Sequence, residues 1–139
     1  MDNGDEIQMR VELGKKLIYQ LQQLVLNKTL EEEQIDKVYI FIEHVESNGL
    51  AGLEGRNKNS ANVPIGVKDY DLRVSKAIEK KWWHYHIGIN FYEQHKIFGD
   101  KTSLYIIHYS NFSPYYIRLA KLDYHPPFNI PNNDWLRIR

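Results

Sequence analysis

The apolar positions of this chain change period about halfway along it. Leu13, Leu17, Leu21, Leu24 and Val25 recur every three or four residues, and the pattern stops at Asn27, which predicts a first helix. Thr29 with Glu32 three residues later reads as a capping box opening a second helix. Its expected buried stripe is Ile35, Val38, Tyr39, Ile42 and Val45, and Asn48-Gly49 is its stop signal. A short strand is expected at residues 7–11, before the first helix.

Gly49 to Gly66 contains four glycines, a proline and the polar run Arg56-Asn57-Lys58-Asn59-Ser60, which predicts a loop or a short strand running into one. A short helix is expected around Asp69 to Lys80, with Leu72, Ala77 and Ile78 facing inward. Beyond it the pattern becomes that of strands. The stretches 82–89, 103–112 and 115–124 are rich in aromatic and β-branched residues. Phe98-Gly99-Asp100 marks a longer turn between them and Ser113-Pro114 a tight one. His125-Pro126-Pro127-Phe128 cannot continue a central strand, because proline lacks the N–H that the ladder needs. The expected architecture is one α+β domain over 1–139, with N-terminal helices packed on one face of a mostly antiparallel sheet. Within it the helical part spans about 1–48, a loop and short helix 49–80, the sheet part 81–125 and a tail 126–139.

Length and composition narrow the class. The chain has 139 residues, enough for one core but not two. It has no cysteine, which excludes disulfides and thiolate metal sites and fits a reducing compartment. The acidic start Met1-Asp2-Asn3-Gly4-Asp5-Glu6 is unlike a secretory signal, and no apolar run approaches membrane-spanning length. A cytoplasmic protein with no membrane partner is expected. Net charge is zero, but residues 1–50 hold ten acids against five bases, a net −5, while the remainder is +5 and holds five of the six histidines. Such a basic, aromatic-rich portion suits local contact with a polyanion.

The chemistry concentrates in Trp82-Trp83-His84-Tyr85-His86-Ile87-Gly88-Ile89. On a strand, side chains two apart share a face, so His84 and His86 stand side by side. Trp83, Tyr85, Ile87 and Ile89 cover the other face and lie on a core. Two groups titrating near neutral pH have no structural need there, which suggests acid–base chemistry, phosphate contact or metal ligation. A metal would require a third ligand, with His108 or Glu93 the nearest candidates. Arg56 and Lys58 suit phosphate oxygens, with a solvated loop as the plainer reading. His108 shares parity with Leu104 and Ile106, so a core histidine and a functional one are both open. Arg118 sits mid-strand, either paired with an acid or aimed at a ligand. The tyrosines, Tyr85, Tyr92 and Tyr109 among them, suit core packing or base stacking. No phosphate-cradling glycine loop or nucleophile elbow is present.

Five short segments follow one another in order: Gly55-Arg56-Asn57-Lys58, Trp83-His84-Tyr85-His86-Ile87-Gly88-Ile89, Gly99-Asp100-Lys101-Thr102-Ser103, Ile107-His108-Tyr109 and His125-Pro126-Pro127-Phe128. The series resembles the YafO family of toxins, in the RelE-like group of toxin–antitoxin systems, over roughly residues 50–130. The resemblance implies two helices over a curved antiparallel sheet. It also implies a metal-independent, cofactor-free endoribonuclease that cuts mRNA on the translating ribosome and is restrained by an antitoxin protein. For that reaction His84 and His86 supply the general base and acid, in an order left open. Arg56 and Lys58 stabilise the phosphorane-like charge. His108 and Tyr109 are second-rank catalytic residues, and Tyr85, Tyr92, Arg118 and His125 are substrate contacts. The chain departs from the group in being neutral where ribosome-docking toxins are usually basic. The rival readings are a non-catalytic protein-binding module and, with a third ligand, a His-ligated metal hydrolase.

Overall fold

The computed structural model describes residues 9–124 and 129–139. Their elements run β1 (Arg10–Leu13), α1 (Lys15–Leu26), α2 (Glu32–Asn48), β2 (Asn57–Asn59), α3 (Tyr70–Glu79), β3 (Trp82–His86), β4 (Tyr105–Ser113), β5 (Tyr116–Tyr124) and a 3-10 turn at Asn133–Leu136. The strands form one open five-stranded sheet in the order β1-β5-β4-β3-β2. Pairing is antiparallel except at one edge, where β1 runs parallel to β5 with Arg10 opposite Tyr116. The sheet is therefore mixed. Its first strand begins at Arg10, later than expected, and residues 7 and 8 of the expected strand lie outside the described residues.

One face of the sheet carries the main core. Leu17 and Leu21 of α1 and Ile35, Val38, Phe41 and Val45 of α2 pack on Tyr85, Ile107, Tyr109, Ile117 and Leu119. Burying each such side chain stabilises by about 1.5–3 kcal/mol. Phe41, which the expected stripe lacked, stacks on Tyr85 with ring centroids 4.7 Å apart and leans on Tyr109 at 6.2 Å. Tyr39, which the stripe included, is exposed. The start of α2 also differs from expectation. Glu31 is the cap and Gln34 its partner, one residue pair later than Thr29 and Glu32 but with the same reciprocal hydrogen bonds.

The opposite face is covered too, which the one-sided expectation missed. Ala77 of α3 and Leu136 of the 3-10 turn pack with Trp82 and Ala120 there. The α3 helix is held loosely. Ala77 is its buried residue, whereas Leu72 and Ile78, expected to face inward, are exposed. Between β4 and β5 the register slips: His108 pairs with Lys121 but Tyr109 pairs with Leu119. Ala120 is thus the extra residue of a bulge, which lets Leu119 and Leu122, three residues apart, both join the main core.

Candidate functional site

Direct cross-strand partners on antiparallel strands share a face. Lys58 of β2 stands opposite His84 of β3, His84 opposite His108 of β4, and His108 opposite Lys121 of β5. The sequence thus lays a Lys-His-His-Lys row across four strands, with His86 one step along β3. The ring centroids of His84 are 6.3 Å from those of His86 and 6.4 Å from those of His108. His108 therefore joins the pair. All three imidazoles are shut away from solvent, at 4%, 3% and 0% exposure. This corrects the expectation of helices on one face alone: the strand pattern identified which side chains share a side, but not that a second layer covers that side.

Each imidazole has polar neighbours. Ser60 Oγ is 3.0 Å from His84 Nδ1. His86 Nδ1 lies 3.0 Å from both the N–H and the carbonyl oxygen of Ser103. The peptide N–H can only donate, so we assign Nδ1 as its acceptor and the ring proton to Nε2. His108 Nε2 is 3.8 Å from Asp123 Oδ2, and Lys121 Nζ is 3.6 Å from the same oxygen.

The cations lie nearer the surface. Arg56 donates to Asp100 through Nε at 2.7 Å and Nη2 at 3.3 Å, leaving its remaining N–H groups for other acceptors. That contact holds the Asp100 carboxyl below the usual range and raises the Arg56 guanidinium. Segments distant in sequence are stitched together around it. Arg56 N–H donates to Lys101 O at 2.8 Å, His86 N–H to Arg56 O at 2.9 Å, and Gly88 N–H to Ser103 Oγ at 3.0 Å. Two glycines make the approach close enough. A Cβ at Gly55 would lie 2.0 Å from His86 O, and Gly88, at φ +80°, would drive one into the Tyr92 ring at 2.5 Å.

The other expected site residues stand elsewhere. Tyr85 and Tyr109 face the main core on the opposite side of the sheet. Tyr85 OH is 2.6 Å from Tyr92 OH, and Tyr109 OH donates to Asn57 Oδ1 at 2.6 Å. Burial pushes both phenols up, so neither reaches an ionised state near neutral pH. Tyr92 OH donates to His86 O at 3.0 Å and its ring packs beneath Gly88, a support beside the junction. Arg118 sits at the other end of the histidine face. It is bound to Glu12 at 3.2 Å and to Leu136 O at 2.8 Å, with Phe112 under its guanidinium at 5.1 Å. Glu93 accepts from Thr102 Oγ1 and faces His95, away from the row. Among the described residues no three His, Asp or Glu side chains are grouped to hold a metal ion. His125 lies outside the described residues.

Sequence reasoning missed Ser60 as a partner of His84. No spacing rule links residue 60 to residue 84, and only the β2–β3 pairing makes the contact. Asp100 and Ser103 lay within a quoted segment, but their roles emerge only from the fold. No family model, curated protein or solved structure matches the chain.

Proposed function

We propose that this chain is the toxin of a toxin–antitoxin system, an endoribonuclease resembling the YafO family that cleaves mRNA on the translating ribosome. The observation that carries the reading is spatial. Four of the five segments that bear the resemblance fall within the described residues and meet around β3. Arg56 grips Asp100 across 44 residues of sequence, and His86 and Gly88 are tied to Ser103. His108 stands opposite His84. Two cations and three imidazoles in one neighbourhood supply the charge and the proton-transfer groups that this reaction needs.

In the reaction proposed, Arg56 and Lys58 hold the scissile phosphate. The RNA 2′-hydroxyl forms a bond to phosphorus while the bond from phosphorus to the 5′ oxygen breaks. One of His84 and His86 takes the 2′ proton and the other protonates the leaving oxygen, giving a 2′,3′-cyclic phosphate and a 5′-hydroxyl end. No metal is used, so activity persists in chelator. The enzyme works in the cytoplasm, and an antitoxin protein restrains it. Among the described residues no helix is long and apolar enough to cross a membrane.

Burial sets a condition on this mechanism, because RNA reaches His84 and His86 only when their cover moves. The same burial favours the rival reading, a non-catalytic protein-binding module in which the histidines are structural. Expression in a bacterium separates the two. Growth arrest by the native chain, relieved by replacing His84 and His86 together with alanine while circular dichroism shows a folded protein, supports the nuclease. Arrest unchanged by the double substitution contradicts the site, and no arrest by folded native chain contradicts the toxin.

A further inference from the structure

The outer surface of α2 has a composition that its own helix does not explain. Tyr39 and Ile40 stand exposed on its crest, Ile40 at 62%. On the α1 side lies a groove of about 430 Å3 lined by Ile18, Leu21, Val25, Leu26, Ile35 and Tyr39. On the other side a recess of about 340 Å3 runs beside Ile40 to Phe98, which is itself 65% exposed. Contiguous exposed apolar surface of this kind marks a docking site more often than chance solvent contact.

The charges around the crest have one sign. Glu32, Asp36, Glu43 and Glu46 lie seven and three residues before Tyr39 and four and seven after it, so all four share its side of the helix. The cation within the stretch, Lys37, is turned inward, donating to Gly88 O at 3.0 Å. Acids at the helix start complement the helix dipole, but Glu43 and Glu46 lie toward the end, where the dipole favours cations and where the last turn has none. Crowding already shows at the start. A hydrogen bond and the charge of Glu31, with Asp36 and Glu32 behind them, hold the Glu33 carboxyl above its ordinary range.

We infer that this face receives an amphipathic helix of a partner protein whose apolar side fills the α1–α2 groove and whose lysines or arginines meet the acidic stripe. Helix-in-groove docking needs this pairing of an apolar channel with flanking complementary charge. A second copy of the chain is a poorer complement. Its own exposed helix α3 and the residues flanking it, 68–81, mix Asp69, Asp71 and Glu79 with five bases. The inference does not depend on RNA cleavage.

The probe is a synthetic amphipathic helix of leucine and lysine, with a leucine–glutamate peptide of the same pattern as control. Both are titrated into the isotope-labelled chain and followed by amide chemical shifts. Only the lysine peptide is expected to bind, with shifts confined to α1, α2 and the loop around Phe98. Asp36→Lys with Glu43→Lys, and separately Tyr39→Ala with Ile40→Ala, should each weaken it by roughly tenfold or more. All four positions are on the surface, so the variants keep the fold. Binding that ignores both double variants, or shifts centred elsewhere, overturns the inference. So does a dimer in sedimentation that Tyr39→Ala with Ile40→Ala dissolves, because the occupant is then a second copy.

Discussion

On one face of the sheet, Tyr85, Ile107, Tyr109 and Ile117 meet apolar side chains from α1 and α2. On the other, His84, His86 and His108 are just as far from solvent, with hydroxyl, carboxylate and backbone groups among their neighbours. Equal burial thus has opposite energetics on the two sides. The core face gains free energy for each apolar side chain removed from water. The histidine face pays desolvation for each polar atom and recovers it only through specific contacts. The second holds the imidazoles, while the phenols of the first, Tyr85 and Tyr109, are pushed up by burial. Stability resides on one side of this sheet and candidate chemistry on the other.

Substitutions of decreasing effect sharpen that division. Phe41→Ala removes the ring wedged between Tyr85 and Tyr109 and should cost about 3–5 kcal/mol in urea unfolding. Gly55→Ala forces a methyl group against His86 O, tying the two faces' fates together. It should cost about 1–3 kcal/mol and distort the Arg56 segment, visible as changed amide shifts at Arg56 and Lys101. Ser60→Ala removes one hydrogen-bond partner of His84, and a loss of about 1 kcal/mol is expected. If Ser60→Ala proves as damaging as Phe41→Ala, the histidine face is itself a core and the division fails.

The smallest effects belong to surface charges. Arg56→Ala should leave the unfolding midpoint nearly unchanged while weakening RNA cleavage, since its ion pair with Asp100 is half exposed. The Glu12 carboxyl is held below its ordinary 4.5, first by the Tyr116 hydroxyl and then by Arg118 and Arg10. Its contribution to stability is therefore complete above that value and is lost as pH falls through the lower folded value. Glu12→Gln should flatten the acid limb of a stability–pH curve.

The two faces also differed in how legible they were. The helical period at Leu17 and Leu21, the strand-rich second half and the shared side of His84 and His86 follow from local geometry, and the fold has them. What failed was what depends on neighbours distant in sequence. Tyr39 and Phe41 differ by two positions on α2, and only the sheet beneath decides which is buried. Leu72 and Ile78 looked like core residues because they are apolar, yet α3 has too little surface under it to bury them. The covering of the histidine face, the Ser60 contact and the ties of Arg118 to Glu12 and Leu136 all arise from neighbours distant in sequence. Periodicity does not encode those.

Mapping RNA ends in a translating bacterial extract tests the central claim most directly. The account predicts new 5′-hydroxyl ends inside translated messages when the native chain is added. They should persist in chelator and disappear when His84 and His86 are both replaced by alanine. Unchanged RNA in the presence of folded native chain would contradict it and leave the buried histidines as structural residues of a binding module.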